Sequence, residues 1–338
     1  MWPAAGFFKM KDLRFYMAPM EGVTGYIYRQ AYHQCFAPMD RYFTPFIAPK
    51  QTGNSGTEAR SVSISTRERR DILPEHNRGM RVVPQILTNR WEDFLQTCGI
   101  LKEEGYREVN LNLGCPSGTV TAKKKGAGFL GEPEQLENFL LRVSQGLEEM
   151  GMELSVKTRL GVEEPGEFEN LLRIYNRVPM KELIVHPRVL KDYYGNKPRL
   201  EWFGLALAES RAPVCYNGDI FSPKDLEALK ERFCPGQGLE RIMLGRGLIR
   251  NPGLAGELAG QRPAEISRLR RFHDLLWSGY LEMMGEERNA LFKMKELWSY
   301  MQELFRADSR LLKKLKKSKS GQEYLETVEE IFETGLKN

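Results

Sequence analysis

The sequence predicts an α/β fold, a (β/α)8 TIM barrel over residues 1–260 followed by a small helical domain over residues 261–338. Short β-rich runs alternate with longer helical patterns from residue 12 to about residue 260. Eight strands over about 250 residues is the number found in a (β/α)8 barrel. A doubly wound sheet would usually have fewer strands and a Gly-x-Gly-x-x-Gly turn after the first, which is absent from this sequence.

The predicted strands are short apolar runs, each bounded by turn residues. They lie at 13–18, 41–47, 81–87, 107–113, 153–158, 182–186, 213–217 and 241–245. The clearest predicted helices lie between them, at 89–104, 133–150, 166–178, 222–233 and 248–259. Pro133 and Pro223 mark two helix starts, because proline is favoured in the first turn. Residues 50–80 lack strong periodicity and predict an extended excursion with a short helix.

The composition changes near residue 260, and only helical patterns follow. Two apolar stripes at helical spacing predict the core of a helical bundle of about 75 residues. The stripes are Leu269, Phe272, Leu275, Leu276 and Tyr280, and then Leu291, Met294, Leu297, Trp298, Met301 and Leu304.

Composition and charge exclude several classes of protein. No apolar run approaches the roughly 20 residues of a membrane span, and residues 1–6 lack the features of a signal peptide. Five cysteines without Cys-x-x-Cys spacing or nearby histidines predict no disulfide framework and no metal site, and favour a reducing cytoplasm. Cys35, Cys98, Cys215 and Cys234 lie in helical or strand patterns and are interpreted as packing residues. The net charge of +5 is mild, but residues 311–320 contain five lysines and no acid.

Polar and glycine residues follow seven of the eight predicted strands. In a barrel the carboxyl ends of the strands converge on one face, where active sites lie. Two of these ends, Asn217-Gly218-Asp219 and Gly245-Arg246-Gly247, predict a phosphate site, since backbone amides and Arg246 can bind an anion. The alternative is that each is an ordinary tight turn.

Lys157 and His186, at two further strand ends, are predicted to lie deeper, over the ring system of a phosphorylated cofactor. A lysine inside a barrel mouth needs an anionic partner, and the N1–C2=O edge of a reduced flavin would supply one. Gln85 could pair with the pyrimidine edge of that ring. The alternative for His186 is a satisfied core histidine.

Cys115 lies in the stretch Asn112-Leu113-Gly114-Cys115-Pro116, at the end of an apolar strand. Glycine allows a sharp turn and proline ends the pairing, so the thiol is presented rather than buried. A structural thiol, a nucleophile and a general acid are all compatible with this position. We favour the acid, because no histidine is close in sequence and a free thiol is protonated at neutral pH. The lysine-rich segment 123–128 that follows is predicted to be a mobile loop able to meet an anionic substrate.

These motifs, taken together and in this order, resemble those of the tRNA-dihydrouridine synthases. The resemblance runs through residues 12–253 and more loosely through the helical tail. Its motifs are Ala-Pro-Met-x-Gly-Val-Thr at 18–24, Asn-x-Gly-Cys-Pro at 112–116, Lys-x-Arg-x-Gly at 157–161, His-x-Arg at 186–188, Asn-Gly-Asp at 217–219 and Gly-Arg-Gly at 245–247.

The resemblance implies an FMN-dependent enzyme that takes reducing equivalents from NADPH and reduces the C5=C6 bond of uridines in folded tRNA. It implies hydride transfer from flavin N5 to uracil C6 and protonation of C5 by Cys115. Residues implied to hold FMN are Pro19, Met20, Gln85, Lys157, His186, Asn217, Gly218, Asp219, Gly245 and Arg246. Residues implied to face the uracil or its strand are Asn112, Arg159, Tyr194 and Lys125.

The target base must leave its stack to reach a barrel mouth. Lys123, Lys124 and Lys125, together with the lysines of 311–320, would contact phosphates, although a solvated helix face is an equal alternative for the second set. The chain departs from the family pattern at Gly25, where an acidic residue usually follows Gly-Val-Thr, and at Pro187, Leu190 and Asp192. The last two positions are expected to lie near the substrate opening.

Three other functions stay open at this stage. The same reaction could act on ribosomal RNA, or an FMN barrel could act on a small molecule, although a basic helical appendix would not then be needed. A non-enzymatic RNA-binding factor could keep flavin as a structural ligand. The sequence implies no protein partner.

Overall fold

The computed structural model describes residues 13–52, 61–233 and 238–337. In these residues the eight predicted strands form the wall of a barrel. All strands of the barrel are parallel, in the neighbour order β5-β2-β1-β11-β10-β9-β8-β7-β6. The strands are β1 (Arg14–Met17), β2 (Arg41–Phe43), β3 (Lys50–Thr52), β4 (Ser61–Ser63), β5 (Val82–Val83), β6 (Gln85–Ile86), β7 (Glu108–Leu113), β8 (Glu153–Thr158), β9 (Glu182–Val185), β10 (Val214–Tyr216) and β11 (Arg241–Leu244). Strands β3 and β4 form a separate antiparallel pair within the predicted excursion.

The third predicted strand, 81–87, is interrupted at Pro84, which divides it into β5 and β6. Proline has no amide hydrogen and cannot donate to a neighbouring strand. β5 pairs with β2 and β6 pairs with β7. Beyond β2, the Ile47 amide donates to the Gln85 carbonyl at 2.7 Å, and the Leu87 amide donates to the Ile47 carbonyl at 2.8 Å. These bonds close the barrel.

Helices surround the barrel and form the region after residue 260. They are α1 (Tyr26–Cys35), α2 (Thr66–Ile72), α3 (Trp91–Glu103), α4 (Gly118–Thr121), α5 (Pro133–Met150), α6 (Glu167–Tyr175), α7 (Leu200–Glu209), α8 (Pro223–Phe233), α9 (Arg246–Arg250), α10 (Leu254–Leu258), α11 (Ile266–Met284), α12 (Glu287–Met301), α13 (Ser309–Lys317) and α14 (Gly321–Glu333). The prediction of one helix over 248–259 was wrong. Pro252 lies between α9 and α10, and a proline cannot donate the hydrogen bond that would join them.

The amino-terminal end of the barrel is closed by buried ion pairs. Arg41 bridges Glu108 at 2.7 Å and Glu182 at 3.4 Å. Glu182 also accepts a hydrogen bond from Tyr16 and an ion pair from Arg241. Above this layer lies an apolar interior that consists of Tyr16, Ala18, Phe43, Val83, Ile184, Cys215 and Met243. The opposite end, at the carboxyl ends of the strands, carries a cavity that opens to solvent.

The helices after residue 260 pack against the barrel. Helix α11 packs on α1, and α12 packs on α9. The Lys293 ammonium on α12 donates to the Gly22 carbonyl at 2.9 Å, so this helix reaches the turn after β1. Most residues of the two predicted apolar stripes are buried, with Leu275 and Leu304 partly buried. Among the helices described here, none has the length and apolar character needed to cross a membrane.

The predicted packing role of three cysteines agrees with their burial, since Cys35, Cys98 and Cys215 lie in the core. Cys234 lies outside the described residues.

Helix α1 begins without a side-chain cap of its own. Gly25 is its N-cap residue, at the position where the resemblance implies an acidic residue. The missing carboxylate is supplied by Asp71 at the end of α2, which accepts a hydrogen bond from the Tyr26 amide at 2.6 Å. Asp71 also lies 3.7 Å from the guanidinium of the fully buried Arg29. A side chain at residue 25 would begin 3.3 Å from the Asp71 carboxylate, so glycine leaves room for this contact.

We predict that Asp71→Ala lowers the free energy of unfolding by about 2–4 kcal/mol, because it removes a cap and leaves the Arg29 charge buried without its carboxylate. Thermal and urea denaturation measure the change. Asp71→Asn should lose less, because its side-chain oxygen can still accept from the Tyr26 amide.

The double variant Gly25→Asp with Asp71→Ala should recover at least half of the loss, since the extended backbone of residue 25 suits an N-cap aspartate. Gly25→Asp alone places two carboxylates together and should not stabilise. Equal stability of the single and double variants would show that Asp71 does not cap α1.

Candidate active site

A cavity opens at the carboxyl ends of the barrel strands. It is lined by Ala18, Pro19, Met20, Gly114, Lys157, Arg159, His186, Tyr194, Asn217, Gly218, Asp219, Phe221, Gly245, Arg246 and Gly247. Eleven of the fifteen site residues predicted from the sequence are in this lining. The other four, Gln85, Asn112, Cys115 and Lys125, lie around it rather than on its wall.

A chain of amide hydrogen bonds holds the turn that carries Cys115. The Gln85 amide donates to Asn110 at 2.7 Å, and the Asn112 amide donates to Gln85 at 2.7 Å. The Asn112 side-chain oxygen then accepts from the backbone amides of Gly114 at 3.0 Å and Cys115 at 2.9 Å. Gln85 is fully buried, and both ends of its amide have protein partners. It therefore orients Asn112, while its contact with a cofactor stays a prediction.

The lysine-rich segment after Cys115 folds back onto it. The Ala127 amide donates to the Cys115 carbonyl at 3.1 Å, and Gly126 has a φ of 56°. A side chain at Gly126 would begin 2.9 Å from the Cys115 carbonyl oxygen, so only glycine fits without a shift of the turn. The segment was predicted to be a mobile loop, and the structure has a 3₁₀ turn over Gly126–Gly131 with Ala127 buried.

Lys125 precedes this turn and lies outside the cavity. Burial lowers its pKa, Asp93 opposes that change, and the nearby charges of Lys123 and Arg90 lower the pKa further. These three cations form a basic edge beside the Cys115 turn. Lys124 is instead paired with Glu132 at 2.6 Å.

The Lys157 ammonium lines the cavity without a counter-ion. Among the described residues it has no hydrogen bond and no ion pair. Burial, followed by the charge of Arg159, lowers its pKa to about 8. A cation so placed is costly unless an anion joins it.

Arg159 is nearly fully buried, and backbone carbonyls hold its guanidinium in place. It donates to the carbonyl of Gly114 at 2.9 Å and to those of Val189 and Tyr193, each at 3.0 Å. These partners belong to the turns after β7 and β9. Burial lowers the pKa of Arg159, although an arginine stays charged.

His186 is neutral at physiological pH. Burial lowers its pKa well below the usual value, and the neighbouring charges of Arg159, Lys157 and Arg188 add to this effect. Its Nδ1 lies 2.6 Å from the Asn217 carbonyl, which can only accept, so Nδ1 carries the proton. Its Nε2 then accepts from the Arg188 guanidinium at 3.3 Å.

Asp219 holds two arginines at the cavity. It pairs with Arg188 through both carboxylate oxygens, at 2.5 and 3.2 Å, and with Arg246 at 2.6 Å. Such paired contacts fix a guanidinium in one orientation. Asp219 was predicted to hold the cofactor, and in the structure its carboxylate points at these two side chains. Arg188 was absent from the predicted site residues, although it is the last residue of the His-x-Arg motif.

The segment after β9 is shaped by Asp192. Burial would raise the pKa of Asp192, but hydrogen bonds from Arg199, Asn196 and the Val189 amide lower it to about 2. This anchored segment places Tyr194 at the mouth, with the Arg246 guanidinium 4.4 Å from its ring centre. The adjacent Tyr193 has a φ of 47° and its side chain is half exposed. Neither Asp192 nor Phe221, which also lines the cavity, was identified as a site residue from sequence.

The lining therefore carries three cations, Lys157, Arg159 and Arg246, against one carboxylate, Asp219. The rest of the wall is largely glycine and backbone after β10 and β11. This excess of positive charge suits an anionic group with a flat, partly apolar body.

A model of one protein family matches nearly the whole chain, over residues 16–336, and its description is dihydrouridine synthase. The chain belongs to the dihydrouridine synthase family. The match spans the barrel and the helices after it, so it includes every residue of the cavity.

Two relatives are named as tRNA-dihydrouridine synthases. The chain is 28% identical over 274 residues to a probable tRNA-dihydrouridine synthase of Staphylococcus aureus strain COL, which covers 79% of this chain and 78% of that protein. It is 29% identical over 211 residues to the tRNA-dihydrouridine(16) synthase of Pseudomonas putida, which covers 61% of this chain and 64% of that one. A variant of NCR from Zymomonas mobilis has a TM-score of 0.47 and 16% identity, over 75% of this chain and 90% of that one, and supports no functional argument.

We predict that Cys115 stays a thiol beyond neutral pH. Burial raises its pKa and the charge of Glu21 raises it further, while the Ser117 amide, Lys157 and Arg159 lower it. Alkylation by iodoacetamide, followed by peptide mass spectrometry, should give a midpoint above that of a free cysteine, about 8.5.

Glu21→Gln should move this midpoint to lower pH, because it removes a charge that disfavours the thiolate. Arg67→Gln, which releases Glu21 from its ion pair but keeps its charge, is the matched control. A midpoint below 8 in the unaltered protein would contradict the prediction and favour a nucleophilic thiolate.

Proposed function

We propose that this protein reduces the C5=C6 bond of uridine in tRNA to give 5,6-dihydrouridine, with FMN as its cofactor. The observation that carries the proposal is the unpaired Lys157 ammonium in the cavity, next to a thiol whose pKa is raised. The family assignment and the printed names of the relatives support the same reaction.

The residues of the cavity fit a flavin mononucleotide. Lys157 would bind the N1–C2=O edge, where negative charge collects when the ring is reduced. Arg246 and the backbone of Gly218, Gly245 and Gly247 would bind the phosphate, and Asp219 would keep Arg246 in place. The neutral His186 would contribute its Nε2 side, with Arg188 next to it. Pro19 and Met20 would pack against the ring.

When bound, the flavin supplies the hydride for C6, and the rest of the reaction falls to this chain. Cys115 would hold the proton for C5, and its raised pKa keeps that proton in place until the uracil ring accepts it. Asn112 orients the Cys115 turn by accepting two backbone hydrogen bonds. Arg159 lines the cavity and would bind a uracil carbonyl. A fixed guanidinium stabilises the charge that develops on that carbonyl. Tyr194, at the mouth, would cover the base.

The RNA would lie across the carboxyl end of the barrel and the helices after residue 260. The target base must be turned out of its stack to reach the cavity. Lys123 and Lys125 lie beside the Cys115 turn, where a backbone phosphate would pass. On α13, the side chains of Lys313, Lys316 and Lys317 are exposed. These positions support residues 1–260 as the flavin-binding catalytic domain and residues 261–338 as a helical RNA-binding domain.

NADPH as reductant and a cytoplasmic location complete the proposal, as the resemblance and the tRNA substrate imply. Ribosomal RNA is the alternative substrate, and the assays below include it.

Cys115→Ala should retain flavin and lose dihydrouridine formation by about 10²- to 10⁴-fold, the usual contribution of a positioned general acid. Unmodified tRNA and ribosomal RNA transcripts are incubated with enzyme, FMN and NADPH, and dihydrouridine is quantified by mass spectrometry of the nucleosides. Cys35→Ala, which alters a buried thiol far from the site, is the control.

If the unaltered enzyme forms no dihydrouridine in tRNA, the proposed function fails. Product only in ribosomal RNA keeps the chemistry and changes the substrate. Loss of flavin in Cys115→Ala would instead make the thiol structural.

Lys157→Met should weaken FMN binding about 10-fold or more and raise the melting temperature of the flavin-free protein by about 2–4 °C. The two effects share a cause, because the buried ammonium is costly until an anionic edge joins it. In the unaltered protein, FMN affinity should be constant below the lysine pKa of about 8 and fall above it, where the charge is lost. Fluorescence titration and scanning calorimetry measure both, with Lys191→Met as an exposed control.

Replacing Lys313, Lys316, Lys317 and Lys319 by glutamine should lower the slope of log affinity against log salt by about 1–3 and leave flavin content unchanged. Filter binding to tRNA from 50 to 300 mM salt measures the slope. The charge-matched control replaces four exposed cations on the outer helices of the barrel, Lys102, Arg173, Lys224 and Arg232. Equal slopes for both sets would place α13 away from the RNA.

A further inference from the structure

A second cavity, of about 300 Å³, lies next to the active site, where the barrel meets the helices after residue 260. It is formed by the turn after β1, the start of α1, helix α2, the end of α11 and helix α12. Its lining is Gly22, Val23, Gly25, Tyr26, Ile27, Pro45, Thr66, Arg67, Arg70, Asp71, Tyr280, Met283, Met284 and Lys293. Its volume lies at the lower end of the range of cavities that bind small ligands.

The floor of this cavity is apolar. Val23, Ile27 and Tyr280 are buried beneath it, and Met283 and Met284 are partly buried at its side. Methionine is flexible and polarisable and makes favourable contacts with flat aromatic rings. A planar, uncharged ring system suits this floor.

The rim is basic and is built from two separate helices. Arg67 and Arg70 come from α2, and Lys293 comes from α12. Arg67 pairs with Glu21 at 2.6 Å, although both side chains are well exposed. Among the described residues, the Arg70 guanidinium has no ion pair. Lys293 pairs with Glu296 at 2.9 Å, and Asp71 is engaged by the Tyr26 amide and Arg29. Among the described residues, Arg70 therefore carries the uncompensated charge at this rim.

The turn after β1 contributes to both the second cavity and the catalytic mouth. Met20 lines the first cavity and Gly22 the second, so their Cα atoms are at most about 7.6 Å apart. The turn that joins them is held by the Thr24 hydroxyl, which accepts from the Met20 amide at 2.8 Å. Glu21, between the two, acts electrostatically on Cys115 and pairs with Arg67 at the rim. An occupant of one cavity is thus set at a short, fixed distance from an occupant of the other.

We infer that this second cavity binds the base of a nucleotide next to the target uridine, with the flanking phosphate on Arg70. The inference rests on the proposed function, since it requires an RNA at the catalytic mouth. An apolar floor below a basic rim matches a base attached to a phosphate, as in single-stranded nucleic-acid sites. Because the turn after β1 lines both cavities, one strand could place neighbouring nucleotides in them.

Arg70→Glu tests the inference against Arg69→Glu, its matched control on the same helix. Arg69 points away from the cavity and pairs with Glu104 at 2.9 Å. The substrate is a tRNA transcript in which the modified position has first been mapped with the unaltered enzyme. Arg70→Glu should lower kcat/KM for dihydrouridine formation about 10-fold more than Arg69→Glu, with equal flavin content and melting temperature.

A second transcript that is abasic at either neighbour of the target uridine separates this contact from general charge. At one of the two neighbours, removal of the base should lower kcat/KM of the unaltered enzyme about 10-fold. The same removal should not lower kcat/KM of the Met284→Ala variant any further. Met284→Ala also tests the site from its apolar floor if Arg70→Glu lowers the melting temperature.

Absence of dihydrouridine with the unaltered enzyme overturns the proposed function itself. The second site alone is overturned if the unaltered enzyme forms product normally, Arg69→Glu and Arg70→Glu lower kcat/KM equally, and the effect of Met284→Ala adds fully to that of each abasic change. A lower kcat/KM in Arg70→Glu, with the effects of Met284→Ala and base removal additive at both neighbours, would mean that Arg70 contacts only a phosphate. The base site would then be withdrawn.

Discussion

An excess of positive charge at the carboxyl ends of the strands is the constraint on which the site depends. Lys157, Arg159 and Arg246 line the cavity there, with Arg188 next to them, and Asp219 is the one carboxylate in that lining among the described residues. Charged groups removed from water must find partners. The fold satisfies Arg159 with three carbonyls and shares Asp219 between the other two arginines. Lys157 is left without a counter-ion in the described part of the chain, and its lowered pKa reflects the cost of burying that charge.

The two ends of the barrel differ in this respect. At the amino-terminal end, Arg41 and Arg241 face Glu108 and Glu182 in a buried layer where the charges balance. A balanced, hydrogen-bonded layer closes the barrel and has no use for a ligand. The open end has the opposite arrangement. The carbonyls that hold Arg159 are neutral, and the carboxylate of Asp219 is shared by Arg188 and Arg246, so positive charge is left over. The polarity of the barrel thus separates the part that stabilises the fold from the part that can bind an anion.

The sequence was sufficient to predict the elements that local chemistry determines. The strand positions, the burial of the apolar stripes after residue 260 and the convergence of eleven site residues follow from periodicity and from the geometry of a barrel. Pro84 and Pro252 interrupt a strand and a helix because proline lacks an amide hydrogen, which the sequence alone shows. The apolar residues on both sides of each proline nevertheless led to the prediction of one continuous element. The pairing of Asp219 with Arg188 and Arg246 was not predictable in the same way, because it joins three separate strand ends and depends on loop conformation. Asp192 was predicted only as a departure from the family pattern, because its ion pair with Arg199 forms only when the segment between them is folded.

The second cavity shows why such departures matter. Gly25 looks like the loss of an acidic residue, yet the carboxylate is present, supplied by Asp71 from α2. This substitution of one partner for another ties α2 to the turn after β1, and α2 carries Arg67 and Arg70. The positions of those arginines relative to Met20 and Cys115 are therefore set by the same hydrogen bond that begins α1. A residue that seems to weaken the start of a helix instead couples the catalytic turn to the basic rim beside it, and that coupling gives the two cavities a fixed separation.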